Sequence, residues 1–183
     1  GGQSAAKQVR SATEEDLVRI LREYGEEPRA RRIARAIISW RRKGGALTTL
    51  GLAGVVEAAC GGRHGARIHP ATRTFQALRI AVNDELGSLR RALGASARAL
   101  KPGGRLAVIT FHSLEDRIVK GFMREASREY EDTPEWPNSV PNPARAFEMV
   151  TRKPVVPSAR ECEENPRARS AKLRVAERLG GGS

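Results

Sequence analysis

The sequence predicts a mixed α/β chain: a partial sheet packed by helices, together with a small all-helical domain. Three observations carry that reading. Arg105-Leu106-Ala107-Val108-Ile109-Thr110-Phe111 is a short apolar, β-branched run, the pattern of a strand covered on both faces in a parallel sheet. A helix ends just before it, with Lys101 in its last turn and Pro102-Gly103-Gly104 as the stop. A second helix begins abruptly behind it, and residues 1 to about 67 read as helical throughout. In open α/β sheets, ligands collect beyond the carboxyl ends of strands, so Thr110 to Arg117 is the first candidate site.

Taken in order, the first helix has Ser11 or Thr13 as cap, with Glu14, Glu15 and Asp16 at the end its dipole favours. Leu17, Ile20, Leu21 and Tyr24 form its apolar face, and Gly25 ends it. Pro28 opens a second helix from Arg29 to about Lys43, in which Ile33, Ile37 and Trp40 make the buried stripe. Arg29, Arg31, Arg32, Arg35, Arg41, Arg42 and Lys43 give that span seven cations and no acid. Solvated faces usually mix signs, so Arg32, Arg35 and their neighbours are candidates for phosphate contact. Gly44-Gly45 closes the helix, and Thr49 to Ala59 is a third. Gly61-Gly62-Arg63-His64-Gly65 is the expected boundary, dividing the chain into residues 1–67 and 68–183.

Beyond it, Phe75, Leu78, Val82 and Leu86 have helical spacing beside the polar set His69, Thr72, Arg73, Gln76 and Asn83. Arg79 to Leu100 continues as one long helix or a broken pair. After the strand, Ser113 is the expected cap, with Asp116 three residues on completing a capping box. Leu114, Ile118, Val119, Phe122 and Met123 turn that helix onto the sheet. Residues 131–146 carry four prolines and form a loop, in which Trp136 either contacts a nucleotide or tacks the loop down. Phe147–Thr151 and Lys172–Arg178 are strand-like, and Asn165-Pro166 marks a turn. Arg167, Arg169, Lys172 and Arg174 make a second basic cluster.

A formal net charge of +12 over 183 residues points to a polyanionic partner. No stretch approaches the roughly 20 apolar residues that span a bilayer, and the start lacks a signal peptide's pattern, so a cytoplasmic protein without a membrane partner is expected. Cys60 and Cys162 stand apart with no metal spacing, and no metal site is expected. Aromatics are only 4%, which argues against stacking on many single-stranded bases.

Several blocks resemble a known family. Leu100-Lys101-Pro102-Gly103-Gly104-Arg105-Leu106 is similar to the turn before the fifth strand of class I S-adenosylmethionine-dependent methyltransferases. More specific are His69-Pro70-Ala71-Thr72-Arg73-Thr74-Phe75-Gln76-Ala77-Leu78, Thr110-Phe111-His112-Ser113-Leu114-Glu115-Asp116-Arg117 and Asn165-Pro166-Arg167-Ala168-Arg169-Ser170-Ala171-Lys172. With Tyr24-Gly25-Glu26-Glu27 and Arg32-Ile33-Ala34-Arg35, they resemble the ribosomal RNA small subunit methyltransferase H family, which N4-methylates a cytosine in the decoding centre of 16S rRNA. The resemblance implies a partial class I methyltransferase (Rossmann-like) sheet. Residues 1–67 then match the family's inserted helical domain and residues 68–183 the C-terminal part of its α/β domain. It also implies S-adenosylmethionine as cofactor and 16S rRNA or the small ribosomal subunit as partner. The family's glycine-rich cofactor loop lies upstream of the matching segment, and no Gly-x-Gly follows a strand here.

The chemistry implied by the family needs an unpaired or flipped cytosine held in line with the methyl donor. His112 and Ser113 are the candidates to border that base, while Arg73, Arg117 and Lys120 are candidates for flanking phosphates. A structural His112, a purely capping Ser113 and structural Glu115 and Asp116 are the simpler alternatives. At the level of function, the alternatives are a non-catalytic basic RNA-binding module of the small subunit and a fragment that self-associates through strand edges. Activity is expected only on pairing with a complementary N-terminal half.

Overall fold

The computed structural model describes residues 4–63, 65, 68–131 and 140–180. Contacts divide the chain into two compact units, before and after the Glu85–Leu86 bond. The first unit is helical: α1 (Ala5–Ser11), α2 (Glu14–Glu23), α3 (Ala30–Arg42), α4 (Thr49–Cys60) and α5 (Thr72–Asn83). The second holds α6 (Glu85–Ala99), β1 (Arg105–Thr110), α7 (Ser113–Ser127), β2 (Tyr130–Glu131), β3 (Val140–Pro141), β4 (Phe147–Met149), α8 (Ala159–Glu164) and β5 (Lys172–Arg178).

In the helical unit, Thr13 starts α2 with a reciprocal capping box to Asp16, as the acidic first turn predicts. Its core is Val9, Leu17, Leu21, Ile33, Ile37, Val56 and Leu78, drawn from all five helices. Each such buried side chain contributes roughly 1.5–3 kcal/mol relative to exposure. Gly25 follows the end of α2, as expected, and also serves the packing. A Cβ there would lie 2.7 Å from the Leu21 carbonyl and 2.9 Å from that of Arg73, so only glycine lets α5 approach the end of α2. The left-handed residue of that turn is Glu26, with φ 47°. Asp84, also at φ 47°, separates α5 from α6, so of the two forms expected for this stretch the chain takes the broken pair.

In the second unit, β5 lies between β1 and β4 and runs antiparallel to both. All pairings of this three-stranded sheet are thus antiparallel. The register Leu106↔Ala176, Val108↔Arg174 and Thr110↔Lys172 sets those pairs on one face. Against that face sits the core of Leu93, Val119, Met123, Phe147 and Ala176. Arg178 clasps the unit by donating to the carbonyls of Ala97, Ala146 and Leu179.

Two expectations for β1 are corrected. It is covered on one face only: Leu106 and Val108 pack inward, while Ile109 and Phe111 are more than half exposed. Its one partner among the described residues is antiparallel, and its other edge is unpaired among them, so the expected parallel neighbour is not part of this sheet. The physical cause is the alternation of side chains: α7 covers only the even-numbered residues of β1, and no described element covers the odd-numbered ones.

Candidate nucleic-acid interface

The carboxyl end of β1 passes directly into α7, and the cap there differs by one residue from the expected Ser113–Asp116 box. His112 is the cap, with extended backbone (φ −143°, ψ 166°) and Nδ1 accepting the Glu115 N–H at 3.3 Å. The Glu115 carboxylate in return accepts the N–H groups of Phe111 at 2.8 Å and His112 at 3.3 Å. Ser113 is displaced to the first helical position and is exposed. Because Nδ1 accepts, neutral His112 carries its proton on Nε2. That atom is buried and lacks a well-aligned acceptor, although Glu115 Oε1 lies 3.3 Å away.

Asp116 was free to leave the cap because a second partner claims it. Arg174 on β5 is buried, and its Nε donates to Asp116 Oδ1 at 2.7 Å while Nη2 donates to Oδ2 at 3.2 Å. Lys172 Nζ adds a third donor at 3.3 Å. The Arg174 hydrogen bonds, with help from Lys172, hold the Asp116 carboxyl below its ordinary value. Lys172 and Arg174 thus leave the expected solvent-facing basic cluster and become the brace joining α7 to the sheet. The sequence signal was the alternation Lys172-Leu173-Arg174-Val175-Ala176, which sets Arg174 on the face of buried Ala176.

Thr110 pairs with Lys172, so the 3-10 turn Pro166–Ser170 lies at the same end of the sheet as the start of α7. Arg167 and Arg169 are exposed there. The structure therefore brings His112, Ser113, Arg167 and Arg169 to one rim, with Arg117 and Lys120 exposed along α7. Of the acids near this rim, Glu115 and Asp116 are already engaged, while Glu161, Glu163 and Glu164 of α8 lie exposed beside the turn that carries Arg167 and Arg169.

The other candidates belong to the helical unit. On α3, Arg29 donates to the Cys60 carbonyl, Arg41 donates to the carbonyls of Val9, Arg10 and Ala12, and Arg35 pairs with Glu14 at 3.0 Å. Those three cations have structural partners, whereas Arg31, Arg32, Arg42 and Lys43 are exposed. Arg73 donates to the Glu26 carbonyl at 3.3 Å and remains exposed. Gln76 donates to the Tyr24 carbonyl, and His69 accepts the Ala71 N–H and faces Glu57 at 3.0 Å, so the polar stripe mostly ties α5 to its neighbours. His64 and Trp136 lie outside the described residues.

The described residues do not fit a nucleotide-type cofactor. A cofactor site of the expected kind needs free backbone donors at a glycine-rich strand-to-helix turn. At the one such turn here, Phe111 and His112 give their N–H groups to Glu115, and neither residue is glycine. No helix among the described residues is long and apolar enough to cross a membrane.

Comparison with known proteins agrees with this partial architecture. Over 179 residues the chain is 55% identical to the ribosomal RNA small subunit methyltransferase H of Methylobacterium nodulans, covering 97% of this chain and 53% of the relative. The protein of that name from Methylorubrum populi is 52% identical over 98% of this chain and 52% of its own length. That from Caulobacter vibrioides is 51% identical over 97% of this chain and 57% of its own. The chain thus spans about half the length of the curated relatives it matches. The profile of the MraW methylase family matches residues 1–179, and the chain belongs to that family.

Proposed function

We propose that this chain is the RNA-facing portion of an S-adenosylmethionine-dependent enzyme that methylates N4 of a cytosine in the decoding centre of 16S rRNA. In this reading, residues 1–67 are the inserted helical domain and residues 68–183 the C-terminal part of the α/β domain, of which α5 packs into the helical unit's core. The observation that carries it is the basic rim at the carboxyl end of β1, on a strand whose far edge is unpaired among the described residues. An unpaired inner edge and an open apolar face are what a sheet presents when further strands of the same protein belong beside it. The relatives' greater length supplies room for them. The cofactor's site is assigned to that other portion, because the turn into α7 lacks the glycine-rich form and gives the Phe111 and His112 N–H groups to Glu115.

On this rim, His112 and Ser113 border the flipped base, and Arg117, Lys120, Arg167 and Arg169 hold adjoining phosphates. In the helical unit, taken by itself, Arg32, Arg35 and Arg73 are assigned to phosphate contact. The test is nucleoside analysis by mass spectrometry of small-subunit RNA treated with the enzyme completed to the relatives' length. The expected product is N4-methylcytidine at a single position, reduced at least tenfold when Arg167 and Arg169 are both changed to Glu. Unmodified RNA, or a methyl on any other base, would overturn the reading. Salt-sensitive RNA binding with no methylation in the completed protein would favour the non-catalytic binding module instead.

A further inference from the structure

The second unit carries a groove of whose lining only Arg117 has been given a role above. It runs between α6 and α7 and has a volume of about 440 Å³, within the range of small-ligand sites. Ile118 and Phe122 form its apolar floor, Gly94 and Gly121 open its walls, and Arg90 and Arg117 stand on its rim. Among the described residues, no carboxylate lines it. Phe122 is not loose: its ring meets Phe147 edge-on, with centroids 6.0 Å apart and planes at 64°, which fixes the orientation of the exposed side.

The glycines sharpen the point. Both lie inside helices, where glycine costs stability relative to alanine. Neither has any atom within 4 Å of where its Cβ would stand, so packing in the chain requires neither. They keep the groove open over an anchored aromatic ring, between two guanidinium groups. A flat ring with an anionic linker on each side complements that surface: apolar contact and stacking in the centre, charge at the rims.

We infer that the α6–α7 groove takes a nucleotide of single-stranded RNA, its base against Phe122 and Ile118 and its flanking phosphates at Arg90 and Arg117. The inference rests on the RNA-modifying reading above and extends it by a holding site for the strand, which shares Arg117 with the rim and otherwise uses residues not placed around the target base. Charge complementarity favours RNA over a second copy of this chain, whose own net charge of +12 opposes a pairing of two basic rims.

The test measures binding of a fluorescent, unstructured RNA of about 12 nucleotides, a length within the site sizes of single-strand binders, to the full chain. Gly121→Leu fills the groove without changing charge, and the open space above Gly121 allows it without displacing neighbours. Arg90→Glu changes charge without filling space, so the pair stays informative should one variant misfold. Each is expected to weaken binding about tenfold, the size of one lost stacked base, while Arg152→Glu, an exposed charge change elsewhere in the unit, stays within about twofold. Wild-type affinity in both groove variants, with loss on changing Arg31 and Arg42, would overturn the groove and leave the RNA reading standing. Absence of RNA binding in every protein, wild type included, would overturn both. A change of sedimentation with Gly121→Leu at unchanged RNA affinity would identify the groove as a contact between copies and equally overturn the inference.

Discussion

Replacing Asp116 by asparagine strands the Arg174 guanidinium in the interior with no carboxylate to face it. Removing one partner of a buried pair costs about 3 kcal/mol, and urea unfolding at neutral pH is expected to show a loss of that size in the second unit. The same pair makes a signed prediction for acid. The Asp116 carboxyl is held below its ordinary value of 3.8 in the folded chain, so its stabilisation is complete above that value. It is lost as pH falls from there through the lowered folded value, and the acid limb of the stability curve should shrink in Asp116→Asn. His112 separates capping from chemistry. His112→Ala is expected to lose about 1 kcal/mol with the cap, whereas His112→Asn, a strong capping residue, should recover it. If His112 also borders the base, the asparagine variant of the completed enzyme restores stability and leaves methyl transfer depressed. Stability and methyl transfer recovering together would reduce the residue to its cap.

At the scale of elements, what could be read in advance was periodic and what could not was relational. The apolar stripe of α3, the acidic start of α2, the break before β1 and the inward face of α7 follow from spacing, and the structure has them. The misplaced cap does not follow, because His112, Ser113, Glu115 and Asp116 allow two registers. Arg174, distant in sequence, decides between them by engaging Asp116. Gly25 is similar: its necessity lies in the carbonyl of Arg73 on another helix. α3 itself shows why a charge run is ambiguous, since Arg29 and Arg41 proved to be braces, Arg35 pairs with Glu14 yet stays largely exposed, and Arg31, Arg32, Arg42 and Lys43 face solvent. Arg31 and Arg42 lie on one line of the helix. Changing both to alanine is expected to lower the slope of log affinity against log salt by about 0.7 for each phosphate released. An unchanged slope in filter binding would return α3 to the role of a solvated face.

At the scale of the whole molecule, the two units have separate cores, and among the described residues only the second contains strands, chiefly its three-stranded sheet. That sheet presents one packed face, one bare face and an unpaired edge on the strand that leads into the basic rim. A short strand of Arg-Leu-Ala-Val-Ile-Thr composition reads as fully buried because its hydrophobicity suits a position between two layers. Its exposure here reflects the neighbours around it and not its sequence, which is why the pattern predicted the strand but missed its surroundings. The most direct test is transfer of labelled methyl from S-adenosylmethionine to small-subunit RNA by this chain, by the N-terminal half of a close relative, and by the two mixed. The account predicts incorporation by the mixture alone, with mixing also removing any self-association of this chain. Methylation by this chain unaided, or a mixture that forms a stable complex yet transfers no methyl, would contradict it.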